Sequence, residues 1–379
     1  MKKICLISTL EHNVGDDFAR AGIVSLLREI YGPFEERVLH KHFPLAVRGQ
    51  TWAQLDLLTR DLPNYLSWRR RLADLIDLLP VNPRADMILD SDLIVQCGAP
   101  VYWINEYSKC SEAEWRALVT RRWRRCEPKP PFMNLAAGAC QPWGSDGSEI
   151  VADRDCRQFI TEFTRDAVLT TTRDPLAHAI VRACGHDVPL LPCTSIFAPA
   201  LAGISPRQGE FVALNFMHGG GHYDFAGGNA ATKWQEAFCA EARRLAAAEP
   251  CLMVCHNKDE HAVAARLLPE IPRFLSRNWR DYLDVYSRCT LAVVNRVHGA
   301  VVAAAMGKRV FLTGNDSRLL TASMVPGIGV FSLGEASSML RPWLWSGDAA
   351  NHQTCAPEFV AQTRSRYLEL LGTALLGQV

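Results

Sequence analysis

A chain of 379 residues is longer than one ordinary hydrophobic core accommodates, so two domains of similar size are expected. With 48% hydrophobic and 21% charged residues it reads as soluble and globular, and a formal net charge of +1 gives no global field to recruit nucleic acid. Its 13 cysteines are scattered inside apolar runs with no C-x-x-C pair, which excludes a disulfide scaffold or structural zinc site and favours a reduced, cytoplasmic protein. No apolar window is long enough to span a bilayer. The run in MKKICLIST is too short for a signal peptide and reads as the first strand.

Residues 3–9 form that strand, and 16–31 an amphipathic helix with Phe18, Ile23, Leu26, Leu27 and Ile30 on one side. LEHNVGDD between them is the first βα turn of a doubly wound domain, where Asn13, Asp16 or Asp17 can cap the helix. Residues 40–85 are less regular and carry Trp52, Trp68 and the run Arg69-Arg70-Arg71. A strand over 92–97 ends in GAPVYW. The helix expected over 112–125 ends in RRWRR, either a solvated basic face or a peripheral patch for anionic lipid. A strand over 132–137, the loop GACQPWGSDG, a helix over 153–165 and a strand over 168–172 follow. Arg173 emerges there beside a helix opening with Asp174-Pro175, as an anion ligand or as a structural partner of Asp174 or a carbonyl. Residues 190–210, with prolines, glycines and no helical period, form the expected linker between domains 1–195 and 196–379.

The second half opens with a strand over 211–216 and then MHGGGHYDFAGGN. Gly219, Gly220 and Gly221 bare their backbone N–H groups between His218 and His222, as a phosphate cradle would. Simple loop flexibility and a His-x3-His metal pair are the alternatives. A helix over 233–248, a strand over 252–255 and a helix over 258–268 place His256 and Asp259 at a strand's carboxyl end. Residues 289–318, CTLAVVNRVHGAVVAAAMGKRVFLTGNDSR, are the most informative stretch. A strand over 291–295 leads into a turn carrying Arg296 and His298, and Gly299 swings the chain into an alanine-rich helix over 300–306. The next strand spans 310–313, and a loop ends at Arg318. Open α/β sheets bind ligands at this edge, so Arg296, His298 and the helix start make an anion site, against the alternative of an ordinary βαβ unit. Beyond Arg318 the chain reads as loop-rich around Trp343 and Trp345, then forms an amphipathic helix over 358–375 that packs back across the domains.

The R-x-H-G turn, the alanine helix, G-K-R and the closing D-S-R resemble the C-terminal signature of the polysaccharide pyruvyl transferases. NVGDD, TTTRDPLAHAIVRACG and VCHNKDEHAVAARLL extend the likeness, in the family's order, over almost the whole chain. The resemblance implies two Rossmann-like α/β domains facing a cleft, the GT-B type, with the acceptor on the first and the donor on the second. Two departures stand out: Gly98 is alone where many members have a glycine run, and Cys193-Thr194-Ser195 replaces a common Asp-Pro pair.

The implied donor is phosphoenolpyruvate, as co-substrate without a further cofactor or metal. The implied acceptor is a saccharide, lipid-linked or free. Arg173 and Arg296 would hold the donor's phosphate and carboxylate, with Gly299, His218 and the three glycines after it supplying further contacts. Lys308 or Arg318 would close the anion site. His298 would protonate the methylene carbon or neutralise the leaving phosphate. Asp16 or Asp17 would take the hydroxyl proton, and Asn13, Gly15, Tyr102 and Trp103 would face the acceptor. A nucleotide-sugar glycosyltransferase and a non-catalytic anion- or sugar-binding protein are the alternatives.

Overall fold

The computed structural model describes residues 1–9, 13–41, 88, 90–106, 108–112, 123–125, 127–220, 228–345 and 353–376. Trp52, Trp68, the arginine run 69–71, most of the helix expected over 112–125, Gly221 and His222 lie outside the described residues.

Two parallel sheets organise the chain. The first holds β1 (Lys3–Ser8), β2 (Glu35–His40), β3 (Leu93–Cys97), β4 (Pro100–Tyr102), β5 (Phe132–Ala139) and β6 (Leu169–Thr172). Its order is β2-β1-β3-β5, with β6 on the far side of β5 and β4 paired to the end of β5. The second holds β7 (Phe211–Leu214), β8 (Cys251–Val254), β9 (Arg273–Phe274), β10 (Cys289–Val294), β11 (Arg309–Gly314) and β12 (Ile328–Ser332), in the order β12-β11-β10-β7-β8-β9. Central strands read as unbroken apolar runs because helices cover both faces; Ile4, Cys5, Leu6 and Ile7 of β1 are all fully buried. Each sheet grows outward from its first strand and then resumes on that strand's other side. This leaves a crevice at the carboxyl ends of β1 and β3 and another at those of β7 and β10.

The Val14–Tyr31 helix is capped by Asn13, whose Oδ1 accepts from the Gly15 N–H at 3.1 Å, and ends at Gly32, where φ is 69°. The alanine-rich helix runs Val297–Ala305, three residues earlier than expected, so His298 and Gly299 belong to its first turn. Residues Ala300, Val301, Val302, Ala303 and Ala304 are wholly buried, which fits a helix apolar on every side. It shares one core with the Val14–Tyr31 helix, and this common core joins the two halves.

The expected linker is a packed wedge over its first half. Thr194–Phe197 forms a tight helical turn, all four residues are buried, and Thr194 Oγ1 donates to the Ala19 carbonyl at 3.0 Å. Gly22 makes this contact possible, since a Cβ there would lie 1.7 Å from the Thr194 carbonyl oxygen. In an ordinary helix Gly→Ala gains roughly 1 kcal/mol. Here Gly22→Ala is expected to lose about 1–3 kcal/mol by overpacking, read as a lowered midpoint in thermal melting.

Beyond Arg318 the chain is more regular than expected, with β12 followed by a Leu333–Trp345 helix. Pro342 inside that helix and the glycines around it hide its period. The final helix, Pro357–Leu376, returns to the first half: Arg364 Nε donates to Glu29 at 2.8 Å, and Tyr367 Oη donates to the Pro192 carbonyl at 3.0 Å.

Candidate active site

Two asparagines tie the strand ends of the second sheet into a rigid floor. Asn215, after β7, accepts from the N–H groups of Asn295 and Arg296, each at 3.2 Å. Its amide donates to the Val254 carbonyl at 3.0 Å and to Glu260 at 2.8 Å. Asn295, after β10, accepts from the Met217 N–H at 3.1 Å and donates to the Thr313 carbonyl at 3.0 Å. On this floor Glu260 fixes Arg296, whose Nε donates to Oε1 at 2.6 Å while Oε2 accepts from the His256 N–H at 2.8 Å.

His298 reaches from the second half to the first. Its Nε2 lies 3.0 Å from an Arg173 guanidinium nitrogen, and its ring rests on Gly15, where a Cβ would come within 2.4 Å of Nδ1. A guanidinium has no lone pair to offer, so Nε2 accepts. Arg173 is itself only 1% exposed. Burial pushes the Asp16 carboxyl up, but Lys41, His298, the Thr9 hydroxyl and Arg173 outweigh it and hold its pKa below the usual carboxylate value. Ionised Asp16 therefore contributes stability above its unfolded pKa that is lost as pH falls through the lower folded one. His256, also at the cleft, is kept neutral: burial foremost, then Arg296 and His298, push its pKa well below the imidazole norm.

Asn13, Gly15, Asp16, Arg173, Arg296, His298 and Arg318 line one cleft open to solvent. Arg318 stands there paired with Asp316, Nε to Oδ1 at 2.8 Å. The loop after β5 bridges to the same segment: the Ser317 N–H donates to the Gln141 carbonyl at 2.8 Å and the Gln141 N–H to Ser317 Oγ at 2.9 Å.

Other expected site residues lie elsewhere, each for a visible reason. Asp17 is spent on Arg20, with oxygen and nitrogen 2.5 Å apart. Lys308 donates to the Arg207 carbonyl at 2.8 Å, beyond the C-terminal end of the Val297–Ala305 helix whose first turn lines the cleft. Tyr102 is fully buried and accepts from Asn134 Nδ2 at 3.3 Å, while Trp103 donates from its indole to Ser108 at 3.2 Å. Gly299 serves close packing, since a Cβ there would lie 2.6 Å from the Tyr286 hydroxyl. His218 is exposed, and Gly219 meets the second sheet's loop through its carbonyl, which accepts from Asn315 at 3.3 Å. Neither is among the described residues that line the cleft.

The sequence profile of the polysaccharide pyruvyl transferases matches residues 13–317, from the helix cap at Asn13 to the bridging Ser317. The chain belongs to the polysaccharide pyruvyl transferase family. That membership makes it a transferase, and the family match takes in every cleft residue named above except Arg318. No curated protein matches its sequence significantly. Among solved structures it is similar to a UDP-GlcNAc 2-epimerase from Neisseria meningitidis bound to UDP-GlcNAc, at 10% identity and a TM-score of 0.59 over 98% of this chain and 100% of that one. It is also similar to the MnaA protein of S. aureus in a structure with UDP, at 12% identity and a TM-score of 0.57 over 93% of this chain and 90% of that one. At such identities the likeness is one of fold, and it places this pyruvyl transferase family member in the GT-B class.

Residues that pattern reading missed are second partners: Asn215, Asn295, Glu260 and Lys41. Asparagines directly after apolar strands were the available signal for the first two. Lys41 carries no local signal, because its role depends on β2 lying beside β1.

Proposed function

We propose that this protein moves the pyruvyl group of phosphoenolpyruvate onto two hydroxyls of one sugar, forming a cyclic ketal and releasing phosphate. The observation that carries this reading is the meeting of Arg173 and His298 across the cleft, with Arg296 and the ionised Asp16 on the same lining. A small molecule bearing both a phosphate and a carboxylate suits two guanidinium groups on opposite walls.

In this reading the incoming anion draws Arg173 away from His298. Protonation of the methylene carbon, with His298 as donor, makes the substituted carbon electrophilic. One sugar hydroxyl adds and gives its proton to Asp16, the C–O bond to phosphate breaks, and the second hydroxyl closes the ring. The proton of one hydroxyl balances that added to carbon, and the other leaves with phosphate. The buried free thiols support a reducing compartment, in keeping with a cytoplasmic donor.

Purified protein is expected to release phosphate from phosphoenolpyruvate only when a suitable saccharide is present, with mass spectrometry showing the pyruvyl-modified sugar. A rise in melting temperature with a UDP-, GDP- or CMP-sugar, and none with phosphoenolpyruvate, would instead assign the cleft to a glycosyltransferase.

A further inference from the structure

Arg173 follows β6 with its charge in the protein interior, and a buried cation is costly unless a counter-charge faces it. Asp174 and Asp16 both feel its charge, but no hydrogen bond joins either to the guanidinium; Asp174 accepts from the Ala177 N–H at 2.7 Å and from the Ala139 N–H at 3.1 Å. Arg173 Nε faces Gly138, where a Cβ would come within 2.6 Å, and has no hydrogen-bond partner among the described residues. One terminal nitrogen divides itself between His298 Nε2 at 3.0 Å and Cys193 Sγ at 3.9 Å. That sulfur is fully buried and also accepts from Ser195 Oγ at 3.3 Å. A sulfur facing a guanidinium and a hydroxyl is placed as thiolates are, not as core thiols are.

We infer that Cys193 is a thiolate in the ligand-free protein and serves as the hydrogen-bonded counter-ion of Arg173, a positioning residue whose negative charge an anion entering the cleft replaces. As the anion takes over the guanidinium, the sulfur loses its electrostatic support and accepts a proton from solvent. Anion binding and protonation of Cys193 are then coupled, and each strengthens the other.

The titratable groups facing the sulfur are Arg173 after β6, Asp174 at the next helix start, His298 from the second half and Tyr367 from the final helix. Burial pushes the Cys193 thiol up, but Arg173, His298 and Ser195 prevail and bring it down to about 6. Burial pushes Asp174 up to about 6 and Tyr367 well above the phenol norm. Because Asp174 and the histidine sit so close, the sulfur must be isolated by subtraction.

The test uses the ultraviolet absorbance of the thiolate, taken as wild type minus Cys193→Ser, and calorimetry with sulfate, an anion that does not itself titrate here. The difference spectrum should show a step centred near the value given above, and saturating sulfate should move it to higher pH. Between about pH 7.5 and about pH 5.5, wild-type affinity for sulfate should rise about fivefold to tenfold more than that of Cys193→Ser. Cys193→Asp, which puts a carboxylate in the thiolate's place, should bind sulfate more weakly than the serine variant at about pH 7.5. No step below about pH 8, a step that sulfate leaves in place, equal pH slopes, or no sulfate binding would each overturn the inference. Should the serine variant misfold, sulfate added to wild type near neutrality must still reduce the thiolate absorbance. The inference rests on the anionic reading of the cleft but not on which anion enters. If sulfate shows the coupling and phosphoenolpyruvate does not bind, the proposed donor falls and the counter-ion stands.

Discussion

His298→Ala is expected to lower the turnover of phosphoenolpyruvate-dependent phosphate release by about 10²–10⁴, the range for loss of a positioned general acid. The imidazole is held on both sides, by Gly15 under Nδ1 and by Arg173 at Nε2. Once the donor has drawn Arg173 away, the Gly15 side still positions the ring, and Nε2, released from the guanidinium, can carry the proton that goes to carbon. If His298 only neutralises the departing phosphate, the loss will appear mainly in donor affinity, measured by calorimetry, with turnover falling less. A pH profile separates the two further, because removing the acid also removes its limb from kcat/KM. Full activity in the alanine variant would take His298 out of the mechanism.

The cleft was legible where a residue's role follows from its position on one element. Arg173, Arg296 and His298 each follow a buried strand at a helix start; β6 could be read from its β-branched threonines and β10 from its apolar run. The Asn13 cap was legible for the same reason. Tyr102 and Lys308 were not, because which way a side chain leaves a strand or a turn depends on neighbours distant in sequence. Pro100 faces the cleft instead of Tyr102 because Gly98 and Ala99 kink the chain, with φ of 55° and 74°. The left-handed alanine costs roughly 1–2 kcal/mol, which the surrounding packing must offset. The Thr194–Phe197 wedge was hidden because its four-residue turn has no period to detect and its partner is a glycine notch in another helix. Arg296 was found, but its dependence on Glu260 lies in tertiary geometry alone.

That dependence gives the second large effect. Glu260→Ala is expected to destabilise the protein by about 3–5 kcal/mol, because it strands the Arg296 charge in a largely buried site. The two side chains are only 11% and 4% exposed, so solvent screens the pair weakly. Glu260 also accepts from Asn215 at 2.8 Å and from the His256 N–H at 2.8 Å, and both donors would lose their acceptor. At roughly 2–4 °C per kcal/mol for a unit of this size, the melting midpoint should fall by about 6–20 °C. A cavity or a lost hydrogen bond alone would not be relieved by removing the partner charge. Pairing Glu260→Met with Arg296→Met should therefore recover most of the lost stability, since replacing both ions by apolar groups is often close to neutral. The recovered double variant should still fail to bind phosphoenolpyruvate, because the guanidinium is gone. Recovery of stability without recovery of binding would show that Glu260 exists to hold a charge the fold does not need. A double variant as unstable as Glu260→Ala would instead mean that the carboxylate matters for the strand-end floor it shares with Asn215.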